Sequence, residues 1–191
     1  MNKEILRQTF LEKRKFLTKE EYKRRNEGIF TNFFDLVSLE EVKVIHTFLP
    51  ITAQHEVDTW PIVHELNEER KDIRLCVSKT ITTENRLEHY YFHEKEQMKN
   101  NGWGIPEPIW GEKVAVKDID MVLVPLIVFD KKGNRIGYGK GYYDKFLSEC
   151  KEDVIKVGLS LSPPLDEIPY CDALDVPLDF FITPFGRDDV F

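Results

Sequence analysis

The sequence predicts a three-layer α/β/α fold built on a mostly parallel sheet. Three observations carry that prediction. Segments with strand chemistry alternate with segments of helical period, and right-handed crossovers between such segments set strands parallel and cover both sheet faces with helices. The run MVLVPLIVF, from Met121 to Phe129, is almost continuously apolar, the signature of a strand buried on both faces. No internal repeat, low-complexity tract or long linker divides the 191 residues, so 1–191 reads as a single domain.

The elements follow in order. A helix runs from about Lys3 to Phe16, with Leu6, Phe10 and Leu17 near one face. Thr18-Lys-Glu-Glu21 is a capping box, so a second helix starts there and carries Tyr22, Ile29 and Phe33 inward. VKVIHTFL, from Val42 to Leu49, is β-branched and aromatic and is closed by Pro50, which makes it a strand. A helix from about Thr59 to Glu69 tolerates Pro61 in its first turn. Strands follow at Asp72–Lys79 and Arg86–Phe92, then the Met121–Phe129 run. After Gly141 a helix carries Tyr142, Tyr143, Phe146 and Leu147, and strands at Val154–Leu161 and Leu178–Thr183 complete the set. Ligands of such sheets sit beyond the carboxyl ends of the strands, so the loops after Leu49, Phe129 and Leu161 are the places to look.

Composition narrows the function classes. With 41% hydrophobic and 32% charged residues, the chain falls among ordinary soluble globular proteins. Its net charge of −7 opposes broad nucleic-acid binding, though not an anionic ligand held by a local cluster of Lys and Arg. No apolar run approaches the ~20 residues that span a bilayer. The N-terminus has no secretory apolar core, and Glu4, Glu12, Glu20 and Glu21 oppose a transit peptide. Cys76, Cys150 and Cys171 show no CxxC spacing, as expected of a protein of the reducing cytoplasm. The five histidines, His46, His55, His64, His89 and His93, form no evident cluster, so zinc is not expected.

The strongest local signal is the segment from Asp130 to Asp144, DKKGNRIGYGKGYYD. Gly137, Gly139 and Gly141 alternate between a buried strand and a helix start. Glycine lets backbone approach a ligand closely and reaches φ > 0 freely. Successive amides and the positive end of the following helix then favour phosphate, with Arg135 and Lys140 adding full charges. The loop is not a Walker A motif, because Gly141 stands where Ser or Thr is required and Asn134 where the first Gly should be. A mobile turn is the plain alternative, but it leaves Tyr138 and Tyr142 beside the glycines unexplained.

Here the chain resembles the 5-formyltetrahydrofolate cyclo-ligase family, also called methenyltetrahydrofolate synthetases. VPLIVFDKKGNRIGYGKGYYDKFL is similar to that family's signature, KEILR (Lys3 to Arg7) to its N-terminal element, and FLPITAQHEVDT (Phe48 to Thr59) to its folate segment. WGIPEP (Trp103 to Pro108) and Asp175-Val-Pro-Leu-Asp179 complete a collinear match over essentially the whole chain. The resemblance implies an architecture like that of sugar-phosphate isomerases and CoA transferases. It implies ATP-dependent closure of 5-formyltetrahydrofolate, with or without a polyglutamate tail, to 5,10-methenyltetrahydrofolate; charge, hydropathy and cysteine usage add the expectation of a cytoplasmic protein, read as a monomer, with no nucleic-acid or membrane partner.

The same resemblance assigns roles. ATP would be bound by Lys3, Arg7, Arg135, Gly137, Gly139, Lys140, Gly141, Tyr142 and Tyr143, with Lys140, Arg135 and Tyr143 catalytic. Folate would meet Ile51, Glu56, Tyr138, Lys140 and Tyr142; Mg2+ would be held by Asp144 and Asp175, with Asp166, Asp172 and Asp179 as acidic neighbours. Lys3 and Arg7, four apart on one helical face, can reach one phosphate group. Asp58 competes with Glu56 as the cap of the next helix. Family members often carry Arg where this chain has Tyr138, which leaves the charge balance there open. Lys13, Arg14 and Lys15, and Lys23, Arg24 and Arg25, read as solvated basic faces, and Trp103 as either a stacking or a core residue. Two rivals stand beside this reading: a sugar-phosphate or thioester enzyme without ATP, and a non-catalytic folate- or nucleotide-binding module.

Overall fold

Seven strands form one sheet in the order β11-β10-β9-β6-β1-β2-β3 in the computed structural model, which describes residues 2–169 and 174–190. Cys171 and Asp172 therefore lie outside the described residues. Five neighbours, β10 (Phe180–Thr183), β9 (Ile155–Leu159), β6 (Met121–Pro125), β1 (Val44–His46) and β2 (Arg74–Ile81), run parallel. The antiparallel strands β3 (Arg86–Tyr91) and β11 (Gly186–Asp189) close the two edges.

Side-chain alternation along the strands splits the core into two layers. Ile45, Leu75, Val77, Met121, Leu123, Val157, Leu159 and Ile182 face α2 (Lys19–Leu36) and α3 (Trp60–Glu69), packing on Ile29, Phe33, Ile62 and Leu66. Val44, Cys76, Val122, Val124 and Phe181 face the other way, against Phe146 and Leu147 of α4 (Tyr142–Glu149). The three layers expected from the sequence are present. Thr18 caps α2 by accepting from the Glu21 amide, and the Asp58 carboxylate accepts from Trp60 N at the start of α3. Gly158 lies where the sheet meets Phe181 so closely that an added Cβ would come within 2.3 Å of that ring.

The apolar run Met121–Phe129 is not one strand. It breaks after Pro125, whose missing N–H cannot continue the ladder, and Val128–Phe129 (β7) pairs instead with Arg135–Ile136 (β8). Every residue of the run except Pro125 is buried, which is why it reads as continuous. The turn between β7 and β8 is organised by fully buried Asp130, which accepts from the Lys132 and Asn134 amides, the Asn134 side chain and the Ile168 amide. Two further pieces had no clear periodic signal: the hairpin β4 (Met98–Asn100) and β5 (Pro106–Pro108), and β11. Helix α1 (Lys3–Lys15) lies over β7 and β8 through Leu6, Val128 and Ile136. Among the described residues no helix is long and apolar enough to cross a membrane. Cys76 and Cys150 are free and buried.

Candidate active site

A cavity of about 720 Å³ opens where β1, β2 and β6 end. The connection after β1 leads to β2 on one side, whereas β6 pairs on the other, so the cavity sits at a topological switch point. Its walls bring together Lys3, Arg7, Ile51, Glu56, Arg135, Asp144, Asp175 and the whole loop Gly137–Tyr143. Residues drawn from the first helix, the first loop, the glycine segment and the chain after position 174 therefore share one space.

The glycine loop forms one wall. Gly139 and Gly141 hold φ of +80° and +69°, where a side chain is strained, and Gly141 is the N-cap of α4. A Cβ on Gly139 would come 2.8 Å from the Arg7 guanidinium; Gly137 has no positive φ, and a Cβ there would meet nothing within 4 Å. Arg7 Nε donates to Gly137 O at 2.9 Å, and its Nη1 pairs with Glu4. Lys3 Nζ donates to Asp175 Oδ2 at 2.7 Å. Lys3 and Arg7 thus both line the wall but already hold protein partners. Lys140 is exposed and has no ion-pair partner among the described residues.

Arg135 reaches back under the loop. Its Nη2 donates to Asp144 Oδ1 at 2.7 Å and its Nη1 to Val176 O at 2.6 Å. Burial pushes this guanidinium below its ordinary pKa, and the Asp144 carboxylate opposes that shift. Asp144 Oδ1 also accepts from Val176 N, which ties the segment after Asp175 to the start of α4. Two carboxylates, Asp144 and Asp175, are thereby held at the same end of the cavity.

The loop from Ile51 to Glu56 lines the same cavity. Thr52–Gln54 form one 3₁₀ turn, and His55 takes a left-handed conformation at φ 49° that sends Glu56 inward, 3% exposed. Glu56 Oε2 accepts from Ile51 N at 2.6 Å, and Tyr22 Oη donates to the Glu56 carbonyl at 2.5 Å. Burial raises the Glu56 pKa; the Ile51 amide, the Tyr138 hydroxyl and the Arg14 charge each oppose the rise. Tyr138 and Tyr143 are both held neutral by burial, which raises their pKa.

Several residues depart from the sequence reading. Arg14 is not a solvated cation. It is 7% exposed, and its guanidinium donates to Gln54 O, Leu126 O and Tyr138 Oη. Its spacing of seven from Arg7 on α1 was the available signal. Arg25 likewise turns inward, donating to Leu161 O and pairing with Glu21. Trp103 is 55% exposed at the tip of the β4–β5 hairpin and lines the rim, so it is not a core residue. Ser78 and Glu107 also line the cavity, the latter accepting from Thr80 N at 2.9 Å. Beneath the floor, His46 and His89 do meet, at 5.1 Å between rings, with Ser78 Oγ 2.7 Å from His46 Nε2 and 3.4 Å from His89 Nδ1. Buried His46 Nδ1 has no partner among the described residues, and leaving a lone pair unpaired is easier than leaving an N–H so, which puts the proton on Nε2.

Comparisons with known proteins identify the family and the fold. The sequence model described as the 5-formyltetrahydrofolate cyclo-ligase family matches residues 1–184. A Schizosaccharomyces pombe protein named "Probable 5-formyltetrahydrofolate cyclo-ligase" is 37% identical over 115 residues, 51% of this chain and 55% of that protein. The 5-formyltetrahydrofolate cyclo-ligase of Haemophilus influenzae is 28% identical over 165 residues, 85% of this chain and 87% of that one. The NMR structure of Aquifex aeolicus 5,10-methenyltetrahydrofolate synthetase superposes with a TM-score of 0.85 at 33% identity, covering 100% of this chain and 93% of that one. With a family match that runs from the first helix through β10, the chain belongs to the 5-formyltetrahydrofolate cyclo-ligase family.

Proposed function

We propose that the protein uses ATP to close 5-formyltetrahydrofolate into 5,10-methenyltetrahydrofolate, releasing ADP and phosphate. The carrying observation is that the glycine loop and the Glu56 loop line one cavity, which would bring a phosphate donor and a folate together. A formamide is a poor electrophile until its oxygen becomes a leaving group. Transfer of the terminal phosphoryl group to that oxygen gives an iminophosphate; N10 attacks its carbon, loses its proton, and phosphate departs with the C–O bond. Such transfer rests on positioning and charge neutralisation, which is the work of cations and amides rather than of a nucleophile.

In this reading Gly137, Gly139 and Gly141 present backbone to the phosphates, while Lys140, Arg135, Lys3 and Arg7 balance their charge, with Tyr142 and Tyr143 beside them. Glu56 accepts from the pterin's N–H groups, with Ile51, Tyr138, Tyr142 and Lys140 completing the folate wall. Magnesium takes one or two carboxylates plus phosphate oxygens and water rather than an all-protein cage. Asp144 and Asp175 would supply those carboxylates: both line the cavity, and the hydrogen bonds to Asp144 from Arg135 and Val176 fall on Oδ1 rather than Oδ2. The ion would neutralise charge on the transferring phosphates. Residues 1–191 would act as one domain, as a cytoplasmic monomer.

Phosphate release from ATP by the purified protein tests the proposal. Release that requires 5-formyltetrahydrofolate supports it. Folate binding with no release under any nucleotide would leave only the binding module.

A further inference from the structure

We infer that Ser78 is a further ligand-contacting residue of the cavity, its hydroxyl held by His46 so that its one proton is offered to an acceptor atom of a bound planar heterocycle. The inference rests on the ATP and folate reading given above, because the purine of one and the pterin of the other are the rings that reading brings here. Ser78 belongs to neither the glycine loop nor the Glu56 loop but to β2. On that strand it lies opposite His89 of β3, two residues beyond Cys76, which lies opposite His46 of β1. Opposed residues, and residues two apart, share a sheet face, so His46, Ser78 and His89 stand together beside the rings of Tyr143 and Phe146. The β1 ladder stops at His46, while β2 runs on to Ile81. Ser78 is thus the first residue of its face beyond that ladder, half-buried and lining the cavity.

Counting protons fixes what this hydroxyl can do. His46 is fully buried, with Nε2 at 2.7 Å from Ser78 Oγ and Nδ1 without a partner among the described residues. An orphan lone pair costs less than an orphan N–H, so the ring proton sits on Nε2 and the serine oxygen accepts it. The single hydroxyl proton must then point elsewhere. Among the described residues the acceptor within reach is His89 Nδ1 at 3.4 Å, beyond the ~2.7–3.0 Å of a well-made bond. Burial lowers the pKa of both imidazoles, that of His89 to about 4, so both are neutral at neutral pH. The hydroxyl is therefore firmly held through its oxygen, weakly held through its proton, and open to the cavity. Val77 and Leu87 on the same two strands, and Phe48 just past β1, add apolar lining. Apolar surface with one placed donor suits a flat ring that carries a ring nitrogen or a carbonyl oxygen.

Calorimetric titration of the full chain at neutral pH tests the inference, with magnesium ADP and 5-formyltetrahydrofolate added separately so that no turnover intervenes. Ser78→Ala weakens one of the two about three- to tenfold, the loss of one hydrogen bond to a neutral acceptor, and leaves the other unchanged. Loss with ADP identifies the purine, and loss with the folate identifies the pterin. Ser78→Thr keeps the hydroxyl and recovers most of the affinity. In a His46→Leu background the Ser78→Ala change costs less, because the hydroxyl is no longer aimed. Unchanged affinity for both ligands overturns the inference, as does equal weakening of both that Ser78→Thr does not recover, the mark of a disturbed sheet. Full additivity with His46→Leu shows that His46 does not aim the hydroxyl and overturns it too. If Ser78→Ala does not fold, Ser78→Cys fills the same place with a weak donor, and wild-type affinity for both ligands in that variant overturns the inference alone. A wild type that binds neither ligand instead overturns the ATP and folate reading, and the inference with it.

Discussion

Arg135 and Asp144 form an ion pair at 2.7 Å in which the arginine side chain is only 6% exposed and the aspartate 27%. The pair joins the strand before the glycine loop to the helix after it, so the loop is anchored at both ends. Removing the carboxylate leaves a buried cation whose remaining acceptor among the described residues is Val176 O. Asp144→Ala is expected to cost about 2–3 kcal/mol, below the usual range for a broken buried pair because the aspartate is partly solvated. Asp144→Asn keeps an acceptor and costs about 1 kcal/mol. Denaturant titration measures both. Under the proposed metal role for Asp144, both variants are expected to lose magnesium-dependent turnover alike, which separates the carboxylate's chemistry from its structural part.

Gly139 and Gly141 separate backbone strain from crowding. Both hold positive φ, but a Cβ on Gly141 meets nothing, whereas one on Gly139 meets Arg7. Gly141→Ala is expected to destabilise by about 1 kcal/mol, the cost of a left-handed alanine. Gly139→Ala adds displacement of Arg7 from Gly137 O and raises the KM for ATP about tenfold or more. Steady-state kinetics beside thermal melting distinguish the two; equal KM values would show that Arg7 has no part in the phosphate wall.

Much of this was legible in the sequence, for identifiable reasons. The parallel core strands and four helices announce themselves because burial on one or both faces imposes a period, and the glycine loop because alternating glycines before a helix have few other uses. What escaped is what period cannot encode. Pro125 ends β6 inside an unbroken apolar run, since the turn at Leu126 and Ile127 is as buried as the strand. The GRDD of β11 is polar because an edge strand's outer side faces water. Arg14 looks like Lys13 and Lys15 until tertiary structure places Gln54, Leu126 and Tyr138 around it. His46 and His89, 43 positions apart, meet only because β1, β2 and β3 are neighbours.

That histidine pair makes stability depend on pH. Burial against Phe146 and Tyr143 lowers His46 well below its ordinary value and His89 to about 4. The folded protein keeps both neutral while the unfolded chain takes up protons below about 6.5. Stability is therefore full above that value and falls as pH drops toward about 4, where His89 itself protonates. The loss from His89 alone is on the order of 3 kcal/mol. Urea midpoints measured through this window should decline, and His89→Gln should flatten the decline. A wild type equally stable across the window would contradict the burial account.

The most direct test of the central claim is the near-ultraviolet absorbance that the conjugated methenyl product would gain, followed in a mixture of protein, 5-formyltetrahydrofolate and magnesium with and without ATP. A rise that needs ATP, and that disappears in Lys140→Ala and Asp144→Ala, is the predicted result. No rise with any nucleotide, while the folate still binds and raises Tm, would contradict the ATP-dependent cyclisation and leave a cavity that holds folate without transforming it.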